Sequence, residues 1–270
     1  MPCAKTTATF AEDALDALSV SVALGEHASR FRLDIRERCA STNTLLLDLA
    51  EQGAPGRTVL ACGEQSAGRG RRGRTWLSAG RGSLTFSLLW RFPATDFSPA
   101  GLSLAVGVAL ARALEALGLR GVALKWPNDV LLGDRKLAGV LIELAPDTRT
   151  LAAIIGIGLN LRLPADFPGD VAAAALAEAL PELPARSQIL ARLLLELETV
   201  LASFEGAGFG AFRESWTARC AHLDAAVTLT GEAGGVEGVC RGVDDDGALL
   251  LETAAGIRRV VSGDVSLRRC

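Results

Sequence analysis

Gly68-Arg69-Gly70-Arg71-Arg72-Gly73-Arg74-Thr75-Trp76, continued by Leu77-Ser78-Ala79-Gly80-Arg81-Gly82 and then by the apolar run Ser83 to Arg91, is the stretch on which the fold turns. It formally fits G-x-G-x-x-G, and it nearly fits a phosphate-binding P-loop, with Arg74-Thr75 where that loop has Lys followed by Ser or Thr. Both of those folds need the glycine turn to run straight into a helix whose N-terminus holds the phosphate. Here more glycine follows, and then a strand, so neither doubly wound fold is indicated. Four arginines among nine residues, spaced by glycines, instead let guanidinium forks and backbone amides approach one polyanion together. Spacing alone leaves a second reading open, a solvated basic loop or an RNA-facing patch.

Working outward, Arg57 to Cys62 reads as a buried strand before the loop. Ser41-Thr42-Asn43, ahead of the apolar Leu45, Leu46, Leu47 and Leu49, supplies a cap for a short helix ending near Gly53. Further upstream, Phe10, Ala14, Leu15 and Leu18 fall at roughly helical spacing in a short leader. Downstream, Ser98 to Leu117 predicts a largely buried helix stopped by Gly118. Val122 to Lys125, Val130 to Leu132 and Leu137 to Leu144 form a tight antiparallel meander, with Ala152 to Leu161 as one more strand. Helices over Ile189 to Phe204 and Phe209 to Cys220 follow. Beyond His222 five short apolar runs, Val227 to Leu229, Val236 to Val243, Leu249 to Glu252, Ile257 to Val261 and Val265 to Leu267, read as a small barrel.

The whole chain bounds these readings. Its 270 residues predict about two domains, and 49% hydrophobic against 22% charged residues is a globular balance. Aromatics are 5%, so a base-stacking platform is not expected, and the net charge of -3 gives the molecule as a whole no attraction for nucleic acid. Six scattered cysteines with no C-x-x-C pair and only two histidines predict neither a zinc cage nor a disulfide framework, which suits a reducing cytoplasm. The longest uncharged run, Phe97 to Ala111, falls short of the roughly 18 residues of a membrane span. His27 and His222 are expected at the surface, which leaves no Ser-His-Asp or Cys-His arrangement.

Lys125-Trp126-Pro127-Asn128-Asp129 and Lys136-Leu137-Ala138-Gly139 place two lysines among apolar strands. Buried lysines need an anion to meet them, and Gly139 lets a ligand or backbone come close; equally, strand-end lysines with their heads in water around a Pro-Asn-Asp turn would explain the pattern. Gly156-Ile157-Gly158-Leu159-Asn160 permits either a flat ligand against the strand or a bulge. Asp244-Asp245-Asp246 before Gly247 reads as a turn.

In chain order, Ser41-Thr42-Asn43, the run Glu64 to Trp76, Lys125 to Asp129, Lys136 to Gly139 and Gly156 to Asn160 resemble the biotin protein ligases, from about residue 33 on. Arg241-Gly242-Val243 and Gly247-Ala248-Leu249-Leu250-Leu251-Glu252 are similar to that family's small C-terminal barrel. The resemblance implies an α+β fold: a leader over 1–32, a mixed-sheet catalytic domain flanked by helices, class II synthetase-like, over 33–222, and an SH3-like β-barrel over 223–270.

It also implies a two-step reaction in which biotin and ATP, with Mg²⁺, give biotinyl-5'-AMP, and a lysine of a biotin carboxyl carrier domain then takes the biotinyl group. By the match Lys136 bridges the biotin carboxylate and the phosphate, while Arg69, Gly70 and Arg71 grip both and cover the adenylate. Ser41, Thr42, Asn43, Gln65 and Gly139 belong to the biotin pocket. Arg72, Trp76, Lys125, Asn128 and Asn160 serve ATP, Asn128 near the Mg²⁺, and Asp129 takes the acceptor amine's proton. Repressor-type members add an N-terminal helix-turn-helix module, for which the leader is too short, so neither nucleic acid nor a membrane is an expected partner. Edge strands of the catalytic sheet are available to pair in a homodimer. A lipoate or octanoate ligase shares the adenylate logic, but the full Arg-rich loop and Lys-Trp-Pro-Asn-Asp argue for biotin.

Overall fold

The computed structural model describes residues 15–78, 80–93, 97–146, 150–164, 167, 172–231, 234–261 and 265–269. Phe10 and Ala14 of the expected leader helix lie outside these residues. Helix α1 (Ala17–Leu24) starts where the Asp16 carboxylate accepts from the Ser19 N–H, and it buries Val20 and Leu24. Strand β1 (Arg32–Cys39) follows. It escaped the sequence reading because only Leu33 and Ile35 alternate before the charged Arg36-Glu37-Arg38, as suits an edge strand. Helix α2 (Thr42–Glu51) is capped by Ser41, whose hydroxyl accepts from the Thr44 N–H, and β2 (Thr58–Gln65) leads into the glycine loop.

Strand β3 (Ser83–Pro93), helix α3 (Leu102–Ala116), strands β4 (Val122–Lys125), β5 (Asp129–Leu132), β6 (Arg135–Pro146) and β7 (Thr150–Asn160), and helices α4 (Arg186–Ala207) and α5 (Arg213–Thr217) complete the larger part. Its seven strands lie in the order β1-β2-β3-β7-β6-β5-β4, with β1 and β2 parallel and the other neighbours antiparallel. This is the mixed sheet expected. The open edge of β4 is partly covered, because Leu124 N–H donates to Arg219 O and Leu124 O accepts from Ala221 N–H.

The sheet is a middle layer, and alternation along β3 shows how it is used. Leu84, Phe86, Leu88, Trp90 and Phe92 point into the main core with α3 and α4, while Leu89 joins Leu60 and Ile154 beneath Leu46 and Ala50 of α2. On the α2 side the positions before Leu89 are polar: Ser83, Thr85 and Ser87, all buried. Register carries that face across the sheet, since Thr85 and Ser87 oppose Gly158 and Gly156 on β7, which oppose Gly139 and Leu141 on β6.

The C-terminal part is antiparallel throughout: β8 (Ala226–Gly231), β9 (Gly234–Val243), β10 (Leu249–Thr253), β11 (Gly256–Val260) and β12 (Val265–Arg269), ordered β11-β10-β9-β8-β12. Each strand expected there is present. His222, expected at the surface, is instead buried at the start of this region, 7% exposed. The four described cysteines are free thiols and fall into neighbouring pairs. Burial beside Cys62 pushes the Cys39 thiol up to about 12, and the thiol–thiol hydrogen bond between Cys220 and Cys240 lowers Cys240 to about 7 while raising Cys220.

Phe204 of α4 is fully buried against Phe92, Phe97 and Phe212. Truncation to Ala at such a site removes a ring and leaves a cavity, a loss of about 3–5 kcal/mol. Urea unfolding of Phe204→Ala should therefore show a midpoint well below wild type with an unchanged slope; an equal midpoint would mean the aromatic cluster contributes little.

Candidate active site

The N-terminus of α2 stands over the hydroxylic part of the sheet. Thr42 donates from both its N–H and its hydroxyl to Gln65 Oε1, at 2.7 and 3.2 Å. Ser87 Oγ reaches Asn43 Oδ1 at 2.6 Å and Thr42 Oγ1 at 2.8 Å. Asn43 Nδ2 donates to Leu141 O and, at 2.9 Å, to Glu143 Oε2. Gly156 makes this possible, because a Cβ there would lie 2.1 Å from Asn43 Oδ1. Ser41, Thr42, Asn43 and Gln65 are thus brought together in one buried polar chain, with Ser41 engaged as the helix cap.

Two members of that chain were missed by sequence reasoning, Ser87 and Glu143. Ser87 was visible as a hydroxyl inside an apolar strand. Glu143 was visible as an acid in Val140-Leu141-Ile142-Glu143-Leu144, a place where a charge needs a partner.

That partner is Arg69. Its guanidinium lies 2.9 and 3.1 Å from the two Glu143 carboxylate oxygens and 3.3 Å from Thr44 Oγ1. The loop carrying it is a compact hairpin: Gly70 N–H donates to Arg74 O, Trp76 N–H to Gly68 O, and Arg69 pairs with Thr75. Arg72 and Gly73 turn it with φ of +58° and +67°. Gly68 is required by crowding, since a Cβ there would sit 2.4 Å from Trp76 O. Arg72 is exposed at the turn, while Arg71 reaches Asn128 Oδ1 at 3.3 Å.

The hairpin therefore arches from α2 to the turn between β4 and β5. There Asn128 Nδ2 donates to Val140 O at 2.7 Å, and Lys125 lies opposite Asp129 in register. Lys136 Nζ is 2.6 Å from Asp129 Oδ1, both side chains being half-buried. Asn160 is nearly buried and donates from Nδ2 to Lys136 O and Ala174 O, so in this structure it fixes the strand that carries Lys136. Trp76 lies over the facing pair Gly139 and Gly158: a Cβ on Gly158 would be 2.2 Å from the indole and one on Gly139 3.2 Å. Lys136 Nζ is 5.6 Å from the indole centre. Gln65, Gly68, Trp76, Leu77, Ser78 and Phe167 line a cavity of about 250 Å³ beside it.

Three cations, Arg69, Arg71 and Lys136, thus share one face with the buried polar chain and a flat glycine floor. Two unit negative charges about 4 Å apart at an effective dielectric near 20 repel by roughly 4 kcal/mol. A site that brings a carboxylate against a phosphate has to neutralise that repulsion, and this cation set can do so.

The chain as a whole is similar to known proteins. Residues 35–160 match the model of the Biotin/lipoate A/B protein ligase family, and residues 222–268 that of the Biotin protein ligase C terminal domain. The bifunctional ligase/repressor BirA of Salmonella typhimurium is 38% identical over 232 residues, 84% of this chain and 72% of that protein. The biotin--[acetyl-CoA-carboxylase] ligase of Paracoccus denitrificans is 34% identical over 84% of this chain and 97% of its own length. Among solved structures, the biotin protein ligase of Aquifex aeolicus in complex with biotin and ATP superposes with a TM-score of 0.77 at 32% identity, covering 88% of this chain and 99% of that one.

A half-buried charged pair such as Arg69 with Glu143 contributes about 1 kcal/mol, roughly a five-fold shift in an opening equilibrium. Glu143→Gln should accordingly raise the rate of tryptic cleavage between Arg69 and Arg74 by about that factor. Cleavage at the wild-type rate would show that the pair does not hold the hairpin down.

Proposed function

The chain belongs to the biotin protein ligase family, and on that premise we propose how its residues divide the work of joining biotin, through biotinyl-5'-AMP, to a lysine of a biotin carboxyl carrier domain. The protein is a ligase that forms a carbon–nitrogen bond. The observation that carries the assignment of residues is the convergence of Arg69, Arg71 and Lys136 beside the buried polar chain of Thr42, Asn43, Gln65 and Ser87.

In the first step a biotin carboxylate oxygen attacks the α-phosphorus of ATP and pyrophosphate leaves. Lys136 is placed to lie between carboxylate and phosphate, exchanging its Asp129 partner for the substrate anions. Arg69 and Arg71 close from above by the same exchange, leaving Glu143 and Asn128. The polar chain from Gln65 to Glu143 offers acceptors and donors to the ureido head of biotin, and the apolar strands take its ring and tail. Ser41 supports that chain by capping α2. Trp76, moving with the hairpin, and Arg72 at its turn attend the nucleotide together with Lys125, Asn128 and Asn160.

A Mg²⁺ ion arriving with ATP would need only one or two protein oxygens, and Asn128 Oδ1 is the group that would hold it. Bound there, the ion would neutralise phosphate charge. Among the described residues no group of three or more His, Cys, Asp or Glu is gathered for a metal cage.

In the second step the acceptor amine attacks the mixed anhydride and AMP leaves. Asp129, freed from Lys136, receives the amine's proton. Until then the hairpin excludes water. Free thiols at Cys39, Cys62, Cys220 and Cys240 favour the cytoplasm as the site of the reaction. No helix among the described residues is long and apolar enough to cross a membrane.

The test is mass spectrometry of a purified biotin carrier domain incubated with the protein, Mg²⁺-ATP and biotin. One lysine should gain one biotinyl group, and only with both substrates present. Lys136→Ala should slow adenylate formation at least about a hundred-fold, as loss of a charge-stabilising donor does, without unfolding the chain. Full activity in that variant would remove Lys136 from the mechanism. Arg71→Gly should let adenylate escape, seen as labelling of bystander lysines; an unchanged escape rate would remove the lid role. Pyrophosphate release with lipoate or octanoate in place of biotin would reassign the acyl substrate.

A further inference from the structure

Lys125-Trp126-Pro127-Asn128-Asp129 joins β4 to β5, and its flanking residues face the site, yet Trp126 does not. Its indole is 1% exposed and donates from Nε1 to Gly247 O at 3.1 Å, in the turn between β9 and β10 of the C-terminal sheet. That turn is built to present the carbonyl. Asp244 Oδ1 accepts from the N–H groups of Asp246 and Ala248, Gly247 N–H donates to Asp244 O, and the Arg259 guanidinium pairs with Asp244 and Asp246. Gly247 itself has φ of +82°.

The turn is pressed against the start of α3. A Cβ on Gly247 would lie 2.8 Å from Gly101 Cα, and one on Gly101 would lie 2.5 Å from Phe209 and 3.1 Å from Asp246 O. From the same end of α3, Ser103 Oγ donates to Pro127 O at 2.9 Å. The Lys125–Asp129 turn is therefore held from three directions: the C-terminal sheet at Trp126, α3 at Pro127, and β6 at Asn128, which exchanges two hydrogen bonds with Val140.

Resting on the ligase reading above, we propose that Trp126 is a positioning residue for the ATP half of the reaction: through Gly247 it lets the C-terminal sheet set where Lys125 and Asn128 stand. The biotin pocket is supported differently, by α2, β3, β6 and β7, none of which touches the Gly247 turn through these bonds. A loosened Trp126 bond consequently displaces the nucleotide groups and spares the ureido chain. A merely structural Trp126 would, when altered, weaken both substrates together.

The measurement is biotin-dependent ATP–pyrophosphate exchange, read as KM for ATP, beside biotin affinity titrated without ATP. Trp126→Phe removes the donor and keeps most of the ring. Gly247→Ala disturbs the other end of the bond, by strain at positive φ and by collision with Gly101, at a residue outside the site. Each variant should raise KM for ATP about ten-fold while biotin affinity stays within about two-fold. A thermal melt of each identifies any that fails to fold, and the two substitutions lie in different parts of the chain. Exchange in wild type with KM for ATP unmoved in the folded variants would overturn the inference alone. So would equal losses for ATP and biotin. No exchange in the wild type would overturn the ligase reading and this inference with it.

Discussion

The indole of Trp76 can lie on the sheet only because Gly139 and Gly158 face one another across β6 and β7 and neither carries a Cβ. That close approach sets the height at which the glycine-arginine hairpin closes. With the indole seated, the hairpin backbone returns from Trp76 to Gly68, Arg69 comes within reach of Glu143, and Arg71 within reach of Asn128. A methyl group at 158 would lift all of these at once. Gly156, one step along the same face, does for Asn43 what Gly158 does for Trp76, so the pocket wall and its cover depend on one strand's bare positions.

Each cation of the site has a protein partner in this structure: Arg69 has Glu143, Arg71 has Asn128, and Lys136 has Asp129. Pairing of this kind, with a carboxylate at Arg69 and at Lys136 and a neutral amide at Arg71, offsets two of the three positive charges on that face. It is also replaceable, because half-exposed pairs contribute only about 0–1 kcal/mol, and a substrate carboxylate or phosphate offers more charge at the same positions. In the mechanism we propose, the partners released by that exchange stay close by, Asp129 to receive the amine's proton and Glu143 still bonded to Asn43.

Much of this was legible in the sequence, for reasons that can be located. The failure of the glycine run to enter a helix excluded the common nucleotide folds, and a cap among Ser41, Thr42 and Asn43 with the leucines behind it pointed to α2. The five C-terminal strands followed from short apolar runs parted by glycine. What stayed hidden was of two kinds. β1 has too few alternating apolar residues to stand out from a charged loop, and only its parallel pairing with β2 makes it a strand. Glu143, Ser87 and the Trp126–Gly247 bond depend on strand register and on contacts across more than forty residues of sequence, which no local pattern carries. His222 was misplaced for the same reason, since burial at a junction depends on what the next sheet covers.

The division between rigid and opening parts follows from where backbone hydrogen bonds are buried. β3 and β7 pair over their full length, from Ser83 with Asn160 to Pro93 with Thr150, and are covered on both faces, so they open only with the fold. The hairpin from Gly68 to Trp76 has a handful of backbone bonds, most of them near solvent, and is anchored by two arginines and one indole. Segments of that kind open at small free energy. The groups proposed to recognise substrate, Thr42, Asn43, Ser87 and Lys136, thus sit on or against the part that opens only with the fold, and those proposed to cover it sit on the segment that opens at smaller free energy. A reaction that must admit two substrates, hide a water-sensitive anhydride and then expose it to a protein lysine needs that separation, because a pocket that opened along with its cover would lose the adenylate each time.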